Sequence, residues 1–269
     1  ICGVSFYIVI LLARINAHIQ ALLRLPSEKG KLKKQLELLE KEQVRDLVDY
    51  ARGFGIEVIP EIQSLSHIQY LTQAYPELVE RSEAVTETQA ADARLADIPP
   101  SDFYAHSCCP SNPKTYEMLF DMYDQIIDKY LAPYGVDCFD VTLDEVWPEI
   151  AQNAEDIFRR RDPWCKCEKC REMNPGEMFI KHAIAIFKHL KEKGMKRVFI
   201  CCDMLIDHGP NGVGVLTEPL LAALKREDVF DIVTITWWTY ADLWEKLMYH
   251  TTQPETGLKR VTSPWNGYY

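Results

Sequence analysis

Residues 34–60 of the chain read KQLELLEKEQVRDLVDYARGFGIEVIP and contain a helix-then-strand unit. Leucine and valine recur at roughly helical spacing up to Tyr50, which predicts an amphipathic helix. Gly53 and Gly55 then end the helix, because glycine readily adopts the backbone angles found just after a helix. The β-branched run Ile56–Pro60 predicts a short strand. This stretch therefore indicates a helix that leads directly into a strand.

Four further units of the same kind follow along the chain. Their predicted helices and strands are 113–130 with 138–143, 175–193 with 197–202, 217–226 with 232–236, and 240–249 with 261–263. Near-continuous apolar strands that alternate with amphipathic helices are typical of a parallel sheet covered by helices. A (β/α)8 barrel of the TIM type needs about 250 residues. We therefore expect an α/β fold in which residues 34–269 form part of such a barrel.

Both ends of the chain depart from this pattern. Residues 5–12 are a candidate sixth strand, and the apolar run 1–13 is too short to span a bilayer. Residues 1–33 are expected to be a separate N-terminal segment, either a strand or a remnant. Since residue 1 is not Met, we expect a fragment of a longer chain and a barrel incomplete at both ends. The alternative is an open doubly wound sheet, but no glycine-rich phosphate loop follows the first strands.

Charge and cysteine usage limit the partners and the compartment. The 269 residues carry a formal net charge of −10, whereas phosphate binding needs clustered Lys and Arg, so we expect no nucleic-acid partner. We also expect no membrane span, because the apolar run 1–13 is too short. The nine cysteines are an odd number, and three groups of adjacent or near-adjacent cysteines do not resemble the framework of a small secreted domain. This usage favours a reducing, cytoplasmic compartment or a bound metal.

Polar and aromatic residues follow directly after the predicted strands. The carboxyl ends of the strands carry the chemistry of a parallel barrel, so these residues are expected on one face. They are Glu61, Gln63, His67, Asp144, Glu145, Trp147, Asp203, Trp237, Trp238, Tyr240, Trp265, Asn266, Tyr268 and Tyr269. Aromatic faces pack against sugar rings, and glycosidic cleavage needs a carboxylic acid to protonate the leaving oxygen. This composition indicates an enzyme that cleaves carbohydrate.

Three motifs in this part of the chain resemble family 20 glycoside hydrolases. Residues 50–63, YARGFGIEVIPEIQ, with His67 four residues later, resemble the family's "GI.VIPE" segment and the turn after it. Residues 109–116, CPSNPKTY, resemble its "P.NP.TY" helix entry, and residues 143–146, LDEV, resemble its "G.DEV" strand end. The motifs occur in the family's order. The resemblance covers roughly residues 43–269, from about the third to the seventh strand of the family's barrel.

The resemblance implies a catalytic domain that removes terminal N-acetylhexosamine from an oligosaccharide or glycoconjugate. In β-N-acetylhexosaminidase-type chemistry the substrate's own 2-acetamido oxygen attacks the anomeric carbon, so neither an enzyme nucleophile nor a cofactor is required. Glu145 would be the general acid and then the base. Asp144 would orient the acetamido group and stabilise its developing positive charge.

The same resemblance assigns further residues to the substrate. The expected substrate-binding residues are His67, Glu61, Asp203, Trp237, Trp265 and Tyr269. His67 would support the acid-base Glu145. Two positions depart from the family, since Gln63 stands where many relatives have Asp and Cys201 where relatives often have Trp. The early strand with a substrate-binding Arg and the final strand with a closing Trp are not found in the sequence.

A group of cysteines follows the carboxylate pair. Residues 164–170 read WCKCEKC and place Cys165, Cys167 and Cys170 within six residues of one another. Thiols this close can converge on a soft metal such as Zn²⁺, which would be structural. A closed site needs a fourth ligand, for which His182 or a residue of a neighbouring loop is a candidate. The alternative is a set of reduced loop thiols.

Three functions are open at this point. The first is a retaining, exo-acting N-acetylhexosaminidase. The second is a catalytically impaired carbohydrate-binding relative, which the departures at Gln63 and Cys201 favour. The third is a metal-dependent barrel hydrolase that uses the cysteines. The sequence contains no His-x-His strand end to hold a catalytic metal, which counts against the third function.

Overall fold

The parallel sheet predicted from the sequence is present in the computed structural model, which describes residues 41–72, 75–80, 107–146, 164–205, 218–237 and 257–262. Its described strands are β1 (Cys138–Asp140), β2 (Arg197–Cys201), β3 (Val233–Trp237) and β4 (Lys259–Thr262). They are all parallel and lie in the order β1-β2-β3-β4. This order follows the chain without reversal, as in a barrel, whereas a doubly wound sheet reverses at a switch point.

The helices alternate with these strands. In the described ranges they are α1 (Lys41–Gly53), α2 (Gln69–Thr72), α3 (Pro113–Ile126), α4 (Pro175–Glu192) and α5 (Glu218–Arg226). A π-helical turn, Ile127–Leu131, continues α3. Helix α4 contacts both α3 and α5, which places the three helices side by side. No helix in the described ranges combines the length and the apolar character that a membrane span requires.

Sequence signals at the helix ends explain where α3 and α4 lie. The Asn112 side chain accepts a hydrogen bond from the Lys114 backbone N–H at 3.1 Å, which caps the start of α3. Asn174 and Glu177 form a reciprocal capping box at the start of α4. Gly194 follows the end of α4 with a φ of 88°, an angle that residues other than glycine rarely adopt. These local signals account for the agreement between predicted and observed helix bounds.

The core lies between the sheet and the helices. All three residues of β1 are buried, as are the last four residues of β2. Burial on both faces is typical of parallel sheets covered by other elements. The largest core side chains come from both layers and include Phe139, Phe199, Tyr123, Phe179 and Phe187.

The predicted strand 56–60 is the main departure from the sequence-based expectation. It lies beside β1 but joins it through one isolated bridge, between Glu61 and Asp140. The Asp140 N–H donates to the Pro60 carbonyl at 2.8 Å, and the Ile62 N–H donates to the Asp140 carbonyl at 2.9 Å. The next bond of this ladder would need an N–H at residue 60, and proline has none. Pro60 therefore limits the pairing of this segment.

Two strand bounds differ from the prediction by more than one residue. Strand β1 ends at Asp140, three residues before the predicted end, because Thr142 and Leu143 have positive φ angles of 57°. Strand β4 begins at Lys259, two residues before the predicted start. The predicted helix 240–249, the candidate strand 5–12 and the N-terminal segment 1–33 lie outside the described residues.

Candidate active site

The carboxyl ends of the strands bring together several of the predicted site residues. The segment after β1 carries Asp144 and Glu145, and the segment after β2 carries Asp203. Glu61 forms a β-bridge with Asp140 at the end of β1, and His67 lies six residues after Glu61 in the chain. One edge of the sheet therefore holds four carboxylates and one imidazole that were predicted from the sequence.

His67 and Glu145 form the central contact of this edge. The His67 Nε2 lies 3.1 Å from the Glu145 Oε2, and the two side chains are 10% and 15% exposed. One ring nitrogen of His67 and one carboxylate oxygen each of Asp144 and Glu145 lie within 4.8 Å of one another. A carboxyl group that is fixed by a neighbouring ring and still reaches the surface is suited to proton transfer with a bound ligand.

Backbone contacts fix the carboxylate pair from two sides. The Glu145 backbone N–H donates to the Asp203 Oδ2 at 2.9 Å. The Ser66 hydroxyl donates to the backbone carbonyl of Asp144. Because Ser66 precedes His67 and Asp203 follows β2, both neighbouring segments hold the pair in place. The position of the pair is therefore determined by contacts distant in sequence.

The backbone around the pair is strained. Thr142, Leu143 and Glu145 have φ angles of 57°, 57° and 47°, and His67 has a φ of 53°. Residues with side chains rarely adopt this left-handed region, and such residues cluster at functional sites. The Thr142 N–H donates to the Asp140 Oδ1 at 2.8 Å, which helps to hold the bend. The strain supports the assignment of this segment as an active site.

The edge has an excess of acidic groups. Burial, followed by the charge of Glu61, raises the pKa of Asp140 to about 8. Burial and the charge of Asp144 hold the pKa of Asp203 well above its usual range. Burial raises the pKa of Asp144, an effect that His67 partly offsets and Glu145 strengthens. A ligand that gains positive charge during reaction would relieve this crowding.

Replacing Asp140 by Asn is expected to stabilise the protein increasingly as pH rises. Between about pH 4 and pH 8 the folded protein keeps a proton on Asp140 that the unfolded chain has lost, so the free energy of unfolding falls with pH. The slope is at most about 1.4 kcal/mol per pH unit. Urea unfolding of both proteins at several pH values measures it. A stability difference that does not change with pH would contradict this prediction.

Some residues of the site were missed by the sequence analysis. Asp140 is a carboxylate inside an otherwise apolar strand, and this exception was a usable signal. Thr142 donates through Oγ1 to the Gln63 Oε1 at 2.7 Å, and the Gln63 Nε2 donates to the Glu61 Oε1 at 3.3 Å. Gln63, noted as a departure from the family, therefore links Glu61 to the bend beside the carboxylate pair.

Three predicted aromatic contacts stay predictions. Trp237 is the last residue of β3, but its side chain lies outside the part of the structure that is described. Trp265 and Tyr269 lie outside the described residues.

The three predicted cysteines converge, and a fourth joins them. The Sγ atoms of Cys165, Cys167, Cys170 and Cys109 all lie within 4.8 Å of one another. Cys109 belongs to the segment before α3 and was not predicted as a ligand. Its adjacency to a second cysteine at the "P.NP.TY" motif was the available signal.

His182, the other candidate for the fourth position, is engaged elsewhere. Its Nε2 lies 2.8 Å from the Ser64 carbonyl oxygen, and its Nδ1 lies 3.3 Å from the Tyr116 hydroxyl. Burial lowers the pKa of His182 to about 4, so the ring is neutral at physiological pH. His182 therefore supports the turn that leads to His67.

Several solved structures are similar to this chain. The chain is similar to a β-N-acetylhexosaminidase from Bacteroides fragilis NCTC 9343, with a TM-score of 0.53 and 17% identity over 98% of this chain and 45% of that one. A second β-N-acetylhexosaminidase structure gives a TM-score of 0.49, with 17% identity over 84% and 39%. A chitobiase from Flavobacterium johnsoniae gives 0.43, with 18% identity over 86% and 37%. The chain thus spans less than half the length of these structures.

Sequence comparison identifies the family. No curated protein matches the chain. Residues 18–269 match the family described as "Glycosyl hydrolase family 20, catalytic domain". Its TIM-barrel-like fold agrees with the parallel sheet and with the Bacteroides structure. Since the match includes both the strand ends and the carboxylate pair, the chain belongs to glycosyl hydrolase family 20.

Proposed function

We propose that this chain carries the catalytic carboxylates of a retaining, exo-acting N-acetylhexosaminidase. Its substrate would be a terminal N-acetylhexosamine of an oligosaccharide or glycoconjugate. The observation that carries the proposal is the arrangement of the adjacent pair. Glu145 is held by His67 at 3.1 Å, while the buried Asp144 Oδ1 has no hydrogen-bond partner among the described residues. A buried acceptor beside an oriented acid can accept a hydrogen bond from a bound ligand.

The two carboxyl groups then have different tasks. The acetamido N–H of the substrate donates to the Asp144 carboxylate, and the acetamido oxygen attacks the anomeric carbon. Glu145 gives its proton to the leaving oxygen, and the sugar becomes an oxazolinium ion. Glu145 next removes a proton from water, which attacks the anomeric carbon and restores the acetamido group. The configuration is retained because two displacements occur.

The electrostatics of the edge support this assignment. Positive charge develops on the sugar and the acetamido group during the first step. The charge of Asp144 acts on both Asp140 and Asp203 in a buried environment. A carboxylate held there, as Asp144 is, stabilises a developing cation more strongly than it would in water. Family 20 glycosidases act without a cofactor, and the proposed reaction needs none.

We infer that the four described strands belong to a (β/α)8 barrel. The one-directional strand order and the site at the carboxyl ends support this inference.

The acetamido group of the substrate provides the direct test. We expect kcat/KM for a nitrophenyl N-acetyl-β-glucosaminide to exceed that for the matched β-glucoside by about 10²-fold or more, because the glucoside lacks the internal nucleophile. A thiazoline analogue of the oxazolinium ion should inhibit far more strongly than N-acetylglucosamine. Equal turnover of the two glycosides would overturn the proposal.

A metal-dependent hydrolase at a site other than the cysteines is a second candidate, because His67, Asp144 and Glu145 have nitrogen and oxygen atoms close enough to share an ion. Dialysis against a chelator separates the two mechanisms. Loss of turnover that returns with added metal, under conditions where Tm is unchanged, would favour the metal mechanism. Binding of N-acetylglucosamine without any turnover would instead favour the impaired, sugar-binding relative.

A further inference from the structure

Four cysteine sulfurs from two distant segments meet in one place. We call Cys109, Cys165, Cys167 and Cys170 the cysteine cluster. The Cys109 Sγ lies 3.5 Å from the Cys165 Sγ and 3.8 Å from the Sγ atoms of Cys167 and Cys170. Cys167 is partly exposed and the other three are buried. The cluster thus forms around Cys109, close to the surface.

The spacing of the sulfurs fits one bound metal ion. In a tetrahedral zinc site the Zn–S bonds are about 2.3 Å, which places the sulfurs about 3.8 Å apart. The Cys109 distances of 3.5–3.8 Å agree with that edge. A disulfide would bring two sulfurs to about 2.05 Å, much closer than these pairs.

The local chain also fits such a site. Cys167 and Cys170 are separated by two residues, a common ligand spacing in structural zinc sites. The Cys170 and Arg171 N–H groups both donate to the Cys167 carbonyl, at 2.9 and 3.0 Å, and these bonds form the turn that brings the thiols together. Cysteines that served only to fill the hydrophobic core would not need to place all four sulfurs against one another.

We propose that the cysteine cluster binds one Zn²⁺ ion in a closed, structural four-sulfur site. Four thiolates and Zn²⁺ leave a net charge of −2, so neighbouring groups matter. On the same segment the exposed cationic residues Lys166, Lys169 and Arg171 outnumber the exposed Glu168 and Glu172.

The ion would connect two parts of the cleft. Cys109 follows Cys108, whose N–H donates to the Leu65 carbonyl at 2.9 Å, two residues before His67. The other three ligands lie in the segment that follows the Asp144–Glu145 pair in the chain. Zinc would therefore join the segment of Cys109, which is hydrogen-bonded next to His67, to the segment that follows the carboxylate pair. It would take no part in the hydrolysis.

Metal analysis tests the proposal independently of catalysis, so its failure is distinguishable from failure of the proposed function. The protein is purified under reducing conditions from medium that contains zinc, without added chelator. Elemental analysis should find about one zinc ion per chain. A strong chelator should remove it and lower Tm, and Zn²⁺ but not Mg²⁺ should restore Tm.

Variants locate the ion. Cys167→Ser affects the partly exposed ligand and is the variant least expected to disturb the core, while Cys109→Ser removes the central one. Each should reduce bound zinc at least about tenfold at a zinc concentration that saturates the unchanged protein. Cys138→Ser, a buried thiol outside the cluster, is the matched control and should keep full zinc content.

Replacement of zinc by Co²⁺ gives a readout that does not depend on variant folding. The cobalt-loaded protein should show the intense visible absorption of tetrahedral cobalt bound by thiolates. Iron in place of zinc, a disulfide within the cluster, or unchanged zinc content in both cluster variants would overturn the proposal. So would failure of the reduced protein to take up added Zn²⁺.

Discussion

Replacing Glu145 by Gln is expected to lower kcat/KM for a nitrophenyl N-acetyl-β-glucosaminide by about 10²–10⁴-fold, the usual contribution of a general acid and base. Glutamine keeps the size of the side chain, but it cannot transfer a proton to the leaving oxygen or take one from water. The contact with His67 at 3.1 Å involves one oxygen, which the amide can replace. Tm should therefore stay close to that of the unchanged protein.

The leaving group distinguishes proton transfer from a general loss of the site. A dinitrophenyl leaving group needs little protonation, so its kcat/KM should fall much less in Glu145→Gln than that of a disaccharide. Glu117→Gln is the matched control, since Glu117 is exposed on α3 and should leave both substrates unaffected. An equal loss for good and poor leaving groups would show that Glu145 is not the acid.

Much of this fold could be predicted from local signals, and its exceptions have local or tertiary causes. Asn112, Asn174 and Gly194 mark helix ends within a few residues of chain, so α3 and α4 were predicted closely. The segment 56–60 has the composition of a strand, yet it pairs at one point because Pro60 lacks an N–H. Amino-acid composition indicates which side chains suit a strand, whereas strand pairing here depends on the backbone N–H that Pro60 lacks.

The site shows the same division. Asp144, Glu145 and His67 could be predicted because parallel strands end at a common edge and because their motifs resemble a family. Cys109 was missed, since it is 56 residues from Cys165 in sequence and meets it only through tertiary packing. The role of Asp140 depends on burial, which raises its pKa and which no motif reports. Sequence thus predicted where these side chains meet better than it predicted what surrounds them.

Replacing Asp144 by Asn is expected to lower kcat/KM by about 10²–10³-fold, the range for loss of one preorganised electrostatic contact. The amide has no charge to stabilise the developing oxazolinium ion. Only one of the two terminal atoms of the amide can accept a hydrogen bond from the substrate N–H, whereas both carboxylate oxygens can. Kinetics with the same N-acetyl-β-glucosaminide measure the loss, and Asp121→Asn, on the exposed side of α3, is the matched control.

Two readouts separate transition-state stabilisation by Asp144 from simple substrate binding. Burial raises the pKa of Asp144, so activity should fall as pH decreases through that pKa, and this acid limb should disappear in Asp144→Asn. Affinity for the thiazoline analogue should fall by about the same factor as kcat/KM, because the analogue resembles the cationic intermediate. A rise in KM with unchanged kcat would mean that Asp144 binds ground state and transition state equally. In that case the acidic edge would serve recognition of the sugar, and the rate enhancement would have to come from Glu145 and the substrate's own acetamido group.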